Sequence, residues 1–211
     1  MKKFLALSLI VAAVYYYKPD LLVGIWKSGA YDSQGNPVTM VFTHNKCGKP
    51  CRDVEDILRR RKLEYEIYNV EDNDENMSLW RKHSKTNSFP VIVAGDREAN
   101  GSYNARLASM LASVYGDVAL TRFEKSIMSS HFYEDGSRRI VMYGASWCPG
   151  CKQLRENFKS NNIDFEEVDV EAVENGQILM SALDITGYPL TYIGYERVEG
   201  VNYSRIIGYL D

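Results

Sequence analysis

Residues 141–152 read VMYGASWCPGCK, and the prediction of the fold of the whole chain is based on this stretch. They begin as a short β-type run that extends back to Ile140, and Leu154 and Phe158 then follow at the spacing of one helix face. Pro149 suits the first turn of a helix, because the N–H that it lacks has no partner within the helix there. Cys148 and its neighbour Cys151 are therefore expected at a strand-to-helix junction.

A second copy of this arrangement lies about one hundred residues earlier. Residues 41–71 align without a gap on residues 141–171, so that Cys51 falls on Cys151. After one residue is lost or gained, residues 88–91 fall on residues 187–190. An internal repeat of this length predicts two domains of the same fold in tandem.

The residue pattern of each half predicts the element order β, α, β, α, β, β, α. This order is typical of an α/β domain with a small mixed sheet flanked by helices. The predicted strands include residues 38–43 and 65–70 in the first half, and residues 140–143 and 165–170 in the second. A closing helix is expected after Gly101 in one half and after Gly200 in the other.

Between the halves, Leu120, Phe123 and Ile127 recur at helical spacing within residues 117–130, and residues 134–137 read as a turn. We therefore predict a first domain at residues 36–115, a helical linker at residues 116–137 and a second domain at residues 138–211.

The composition is that of an ordinary globular protein, with 45% apolar and 25% charged residues in a chain of 211. A formal net charge of −3 argues against the clustered basic surface that nucleic-acid binding requires, so no nucleic-acid partner is expected. The 15 tyrosines are expected in cores and grooves. His83 and His131 are interpreted as surface or linker residues.

The N-terminus carries a pattern of its own. Lys2 and Lys3 precede an apolar run that ends at Tyr17, which is shorter than the ~20 residues of a bilayer span but suits the core of a signal peptide. We predict that residues 1–17 are a signal peptide or a retained membrane anchor, and that the rest of the chain is periplasmic or exported. The alternative is a buried N-terminal segment in a cytoplasmic protein.

The four cysteines form two close pairs, Cys47 with Cys51 and Cys148 with Cys151. Pairs this close make poor structural cross-links, because a disulfide stabilises mainly by closing a long loop. They are typical of redox dithiols or of metal ligands. A zinc site made by the four cysteines and His44 is disfavoured, since ribbon-type sites bring their pairs together over ~15–20 residues. No metal is therefore expected.

The stretch 141–152, taken with Tyr188-Pro189, resembles a glutaredoxin of the thioredoxin superfamily. The resemblance covers residues 138–211 and, more loosely, residues 36–115. It implies two thioredoxin-like (glutaredoxin) domains and a thiol–disulfide oxidoreductase that acts by dithiol exchange on protein or low-molecular-weight disulfides. It also implies no permanently bound cofactor, glutathione as a candidate reductant, and protein disulfides or a dithiol reductase as partners. The alternative is a redox-inactive thioredoxin-fold module used for binding or as a scaffold.

The cysteines of the second half are expected to have different roles. A thiolate is the attacking species in disulfide exchange, and a helix N-terminus stabilises it through unpaired N–H groups and the helix dipole. Cys148 is therefore the expected nucleophile, and Cys151 the shielded resolving thiol. The resemblance implies that Pro189 is a cis proline, and Pro90 holds the same place in the first half. The candidate substrate-binding residues are Trp147, Tyr188, Pro189, Phe89 and Pro90.

Two departures from the family pattern bear on function. Ala145 stands where glutathione-dependent members usually carry lysine, and Trp147 is closer to the habit of thioredoxins, so the electron donor could be another protein dithiol. In the first half, Gly48 rather than Cys47 aligns with Cys148. The sequence leaves open whether Cys47 reaches Cys51 and whether this half is catalytic.

Overall fold

A computed structural model describes residues 29–84 and 86–210. They form two compact units: one holds the described residues up to Glu55 together with Glu64–Gly101, and the other holds Asp56–Leu63 and the chain from Ser102 onward. The predicted signal peptide or anchor, residues 1–17, lies outside the described residues. Within the described ranges, no helix is both long and apolar enough to cross a membrane.

The first unit is built on a four-stranded mixed sheet with the order β2-β1-β3-β4. Its elements in chain order are β1 (Thr39–Thr43), α1 (Lys49–Arg61, which continues into the second unit), β2 (Glu66–Asn69), α2 (Asp74–His83), β3 (Val91–Ala94) and β4 (Arg97–Asn100). β1 is parallel to β2 and antiparallel to β3. Apolar side chains of the central strands, among them Phe42, Val91 and Val93, form its core.

The second unit contains a sheet of the same topology, in the order β6-β5-β7-β8. Its elements in chain order are α3 (Asn104–Tyr115), α4 (Arg122–Met128), β5 (Ile140–Gly144), α5 (Pro149–Ser160), β6 (Glu166–Asp169), α6 (Gly176–Ala182), β7 (Leu190–Ile193), β8 (Glu196–Glu199) and α7 (Tyr203–Ile207). β5 is parallel to β6 and antiparallel to β7. The predicted class, two small mixed sheets flanked by helices, is confirmed.

Side chains alternate along a strand and so reach both faces of the second sheet. Both of these faces are buried. On one face, Met142 and Ile193 pack with Cys151, Leu154 and other side chains of α5 and α7. On the opposite face, Tyr143 and Tyr192 pack in a cluster that includes Ala108 and Ala112 of α3. The strand that leads to the cysteines is therefore held from two sides.

α3 is joined to the rest of the second unit by polar contacts as well. Its Ala105 N–H donates to the Asp184 carboxylate at 2.8 Å, and Arg106 forms an ion pair with Glu199 at 2.7 Å. The structure thus places the helix that follows Gly101 among the contacts of the second unit, while the domain boundaries read from the sequence stay a prediction.

His131 corrects one expectation, since it is not on the surface. Its side chain is fully buried, its Nε2 lies 2.8 Å from the Tyr143 hydroxyl, and its ring stacks on Tyr192 with centroids 4.4 Å apart. Burial lowers the pKa of His131 to about 3, so the ring is neutral at physiological pH. His83 is partly buried in the last turn of α2.

Candidate active site

Cys148 caps the N-terminus of α5. Its backbone is extended, with φ −68° and ψ 118°, and its Sγ accepts a hydrogen bond from the Cys151 N–H at 3.1 Å. Pro149 follows in the first turn, where its missing N–H removes no helical hydrogen bond. A sulfur at this position faces N–H groups that lack helical partners, so that a negative charge on it is stabilised.

Cys151 lies one turn further along α5 and is completely buried. Burial, and after it the hydrogen bond with Cys148, raises the pKa of the Cys151 thiol to about 12, because the thiolate would lose its water. Its sulfur packs against the end of β5, where a Cβ added to Gly144 would lie only 2.6 Å from Sγ. The lack of a side chain at Gly144 is therefore what leaves room for this thiol.

Pro189 follows a cis peptide bond with Tyr188 and leads into β7. Gly150 of α5 lies against it: a Cβ at that position would be 3.1 Å from Cδ of Pro189 and 3.0 Å from Cγ2 of Val201. The first turn of α5 can approach the proline this closely because residue 150 has no side chain. The predicted pair Tyr188 and Pro189 is thus brought to the cysteine-bearing end of the helix.

Trp147 and Tyr188 form an aromatic rim beside Cys148. Trp147 is 65% exposed, and the two ring centroids are 6.0 Å apart at an interplanar angle of 68°. Both rings donate to one carboxylate, since Nε1 of Trp147 lies 2.7 Å and the hydroxyl of Tyr188 lies 3.4 Å from oxygens of Glu171. The rim is therefore fixed in place by Glu171.

A second carboxylate anchors the loop that precedes Cys148. Asp169, at the end of β6, accepts from the Ser146 N–H at 2.9 Å and from the Glu171 N–H at 3.0 Å. Because β6 is parallel to β5, both strands end at the same edge of the sheet, where this loop begins. Asp169 therefore ties together the cysteine loop and the segment that carries Glu171.

An ion pair lies on the side of the sheet that holds Cys151. Arg155, four residues after Cys151 on α5, donates from Nε to Oε2 of Glu167 at 2.6 Å, with a second hydrogen bond from its Nη2. These hydrogen bonds raise the pKa of Arg155, and the charges that Cys151 and Cys148 carry when ionised act in the same direction. Arg155 thus supplies a fixed positive charge near the dithiol.

In the first half, Cys47 and Cys51 form a disulfide with Cα atoms 5.8 Å apart. The question that the sequence left open is thereby settled: the three-residue spacing allows the pair to bond. Cys51 is buried in α1, whereas Cys47 is partly exposed in the loop before it. Gly48 between them has a φ of +61°, a conformation that glycine adopts at little cost. Sulfurs bonded to each other cannot serve as thiolate ligands of a metal.

Near this disulfide, as near Cys148, an acidic side chain accepts a hydrogen bond from the backbone of the cysteine loop. The first half has no counterpart of the rim of Trp147 and Tyr188 among the described residues. Glu71, the counterpart of Glu171, accepts from the Asn45 backbone N–H at 2.7 Å, and Asn69 replaces Asp169. Phe89, which precedes cis-Pro90, packs against His44 and Trp80 with centroids 5.0 and 5.3 Å away. The predicted residues Phe89 and Pro90 therefore take the place that Tyr188 and Pro189 take in the second half.

Sequence reasoning missed the polar residues that hold the second site, namely Asp169, Glu171, Arg155 and Glu167. Two of them were visible in the repeat, because residues 69–71 and 169–171 match as amide or acid, valine, glutamate. The ion pair left no such signal, since the first half has Glu55 and Ile67 at the corresponding positions.

The geometry joins an exposed aromatic rim to two buried thiols with unlike surroundings, since Cys148 is 4% exposed at the helix N-cap and Cys151 is completely buried. Cys148 lies at a helix N-cap, a position that stabilises a thiolate, while burial raises the pKa of Cys151 to about 12. Over the described parts of the chain, no three acidic, histidine or cysteine side chains come together as a metal site. The arrangement is suited to thiol–disulfide exchange.

Comparisons with known proteins place this site in a family. A family model described as glutaredoxin matches residues 39–98 and again residues 140–198, which together are more than half of the chain. An uncharacterized glutaredoxin-like 8.6 kDa protein in the rubredoxin operon of Clostridium pasteurianum is 32% identical over 68 residues, which cover 91% of that protein and 32% of this chain.

Solved structures of similar proteins cover single domains. The glutaredoxin of Archaeoglobus fulgidus is 26% identical, with a TM-score of 0.32 over 36% of this chain and 89% of its own. The glutaredoxin of Methanosarcina mazei Go1 is 20% identical, with a TM-score of 0.32 over 37% of this chain and 95% of its own. The two family-model matches coincide with the two sheets, and on these matches the chain belongs to the glutaredoxin family, with two glutaredoxin-like domains in tandem.

Proposed function

We propose that this protein is a thiol–disulfide oxidoreductase that reduces or exchanges disulfides through Cys148 and Cys151. The observation that carries the proposal is the position of Cys148 at the N-cap of α5, with a hydrogen bond from the Cys151 N–H to its sulfur. An N-terminal helix position favours the thiolate that attacks a disulfide. The glutaredoxin family as a whole supports this class of activity.

The reaction runs in two exchange steps. The Cys148 thiolate attacks one sulfur of the substrate disulfide, a mixed disulfide forms, and the other substrate sulfur leaves as a thiolate. Cys151 then gives up its proton, attacks Cys148 and releases the first substrate sulfur. The substrate gains two electrons, and the protein is left with a Cys148–Cys151 disulfide that glutathione or a protein dithiol must reduce.

The same proposal covers partners and place in the cell. Protein disulfides are the proposed substrates, and glutathione or a dithiol reductase is the proposed source of electrons. The chain is proposed to act outside the cytoplasm, either released or attached to the inner membrane through its N-terminal segment, which rests on Lys2, Lys3 and the apolar run that follows them.

Disulfide reduction by single-cysteine variants tests the assignment. With insulin as substrate and dithiothreitol as reductant, Cys148→Ser should lower the rate by about two orders of magnitude, because the nucleophile is gone. Cys47→Ser is the matched change in the first half and should retain most of the rate. Cys151→Ser should accumulate a mixed disulfide between Cys148 and substrate, which mass spectrometry detects.

Two results would contradict the proposal. A Cys47→Ser protein as inactive as Cys148→Ser would move the catalytic role to the first half. A wild-type protein with no turnover on insulin or on small mixed disulfides would favour the alternative, a redox-inactive binding or scaffold module.

A further inference from the structure

The aromatic rim offers a large apolar surface that is already ordered before anything binds to it. Trp147 is 65% exposed, yet its ring is held by the hydrogen bond to Glu171 at 2.7 Å and by the edge contact with Tyr188. A fixed ring loses little conformational freedom when a ligand covers it, so its burial contributes more fully to binding. Val201, 39% exposed, lies beyond Gly150 and extends this apolar surface.

The charge next to the rim is negative. Glu171 is exposed and accepts from both rings, and Asp169 accepts from the backbone of Ser146 directly before Trp147. The charges of Glu171 and Asp169 also contribute, after burial, to a raised pKa of the Tyr188 hydroxyl. An incoming molecule therefore meets aromatic rings and two carboxylates before it reaches Cys148.

Disulfide substrates differ in how they suit such a surface. Glutathione carries two carboxylates and one ammonium group, so it brings net negative charge close to its sulfur and little apolar surface. A peptide segment with a lysine, an arginine or an apolar residue beside its cysteine brings the opposite charge or a side chain for the rings to cover. Charge complementarity then favours the peptide, both in encounter and in binding.

We infer that the rim of Trp147 and Tyr188, held and charged by Glu171, selects peptide disulfides with basic or apolar residues beside the cysteine over glutathione mixed disulfides. Glu171 acts here as a positioning residue for the rings and as a source of negative charge. The inference rests on the proposed function and names its substrate class.

Three mixed disulfides that share one leaving group test the inference. Each joins thionitrobenzoate to a different thiol: a short peptide with lysine on both sides of cysteine, the same peptide with glutamate at those positions, and glutathione. Attack by reduced Cys148 joins that thiol to the protein, breaks the S–S bond and releases the coloured thionitrobenzoate anion. Stopped-flow measurements on the full chain give the half-saturation concentration and the maximal rate separately.

At low ionic strength, the wild type should react with the lysine peptide about tenfold faster than with the glutamate peptide or glutathione, and added salt should reduce that ratio. Glu171→Gln should lower the ratio at least threefold, chiefly by raising the half-saturation concentration for the lysine peptide. Glu174→Gln removes an equal charge from an exposed position three residues on and should leave the ratio unchanged. Trp147→Ala should weaken the binding of both peptides more than the binding of the glutathione disulfide, and Trp147→Phe should restore part of the peptide binding.

The outcomes separate the inference from the function on which it rests. Equal rates for the three substrates, or equal effects of Glu171→Gln and Glu174→Gln, overturn the selectivity while the redox activity stands. Release of thionitrobenzoate no faster than from Cys148→Ser overturns both.

Discussion

The two thiols of α5 are three residues apart, yet their protonation is controlled by different surroundings. Cys148 lies at the N-cap, where backbone N–H groups stabilise an anion, whereas burial raises the pKa of Cys151 to about 12. Cys151 therefore stays protonated between pH 7 and pH 9. The proposed exchange depends on this difference, because a single thiolate attacks at a time.

Alkylation of the reduced protein should show the difference directly. Between pH 7 and pH 9, iodoacetamide should modify Cys148 first and leave Cys151 unmodified in the native state, as read by peptide mass spectrometry. The denatured protein is the control, in which both thiols should react alike. Equal native rates at the two positions would refute the roles given to them.

The burial of His131 leads to a prediction about the pH dependence of stability. Its pKa is lowered by burial to about 3 in the folded protein, against an ordinary value of 6.5. Above pH 6.5 neither state carries the proton, and as the pH falls from 6.5 toward 3 the unfolded chain binds a proton that the folded chain excludes. The folded state should therefore lose about 2 kcal/mol from this residue between pH 7.5 and pH 5.

The comparison that isolates this effect is wild type against His131→Phe, which keeps a ring on Tyr192. The free energy of unfolding in urea of the wild type, minus that of His131→Phe, should fall as the pH drops below 6.5. The reason is that only the wild type carries the titrating group. A difference that stays constant from pH 7.5 to pH 5 would contradict the assignment.

At this scale the sequence predicted the position of Cys148 at the start of α5 and missed the burial of His131. The cysteines, Pro149 and Pro189 act through their own covalent structure and their place in local elements, so their positions were readable. His131 follows two serines near a predicted turn, and its burial comes from Tyr192, some sixty positions later in the chain. No local pattern contains that contact.

At the scale of elements, the end of β5 and the first turn of α5 must pack without a side chain between them. A Cβ at Gly144 would lie 2.6 Å from the Cys151 sulfur. Gly144→Ala should therefore displace this sulfur, destabilise the protein by roughly 1–3 kcal/mol and slow the release of substrate from Cys148. Thermal unfolding and single-turnover release of product measure the two effects.

Gly187→Ala is the matched control, because a Cβ there would meet nothing within 4 Å. It should change neither stability nor release by a measurable amount. If Gly144→Ala released substrate as fast as Gly187→Ala, the contact with Cys151 would have no part in resolution.

Strands were easier to predict than the connection between the halves. The four strands for which the sequence predicted both ends, β1, β2, β5 and β6, lie within one residue of those ends, because apolar and β-branched runs have clear limits. The helix expected across residues 117–130 is instead a 3-10 turn, the extended residue Leu120, and α4. Thr121 and Glu124 form a reciprocal capping box that starts a new helix, and this local signal outweighs the longer apolar spacing.

At the scale of the whole molecule, the proposed export of the chain is open to a direct test. A fusion of alkaline phosphatase after the last residue is predicted to be active, because lysines ahead of an apolar run are expected to direct the rest of a chain outward. The same fusion without residues 1–17 should be inactive, since that enzyme needs an oxidising compartment for its disulfides. An inactive full-length fusion would place the protein in the cytoplasm.

The equal topology of the two sheets has a consequence for biosynthesis. The first half leaves the ribosome complete, and the central strand of the second half then emerges beside a finished sheet with the same strand order, a situation in which repeats can assemble wrongly. The two cores differ at matching places, with Phe42 and Val93 in one and Tyr143 and Tyr192 in the other. A hybrid sheet that put β3 in place of β7 would leave a void where Tyr192 stacks on His131, and the reverse exchange would crowd a tyrosine into the space of a valine. Divergence between the halves thus favours correct pairing of each strand with its own sheet during synthesis.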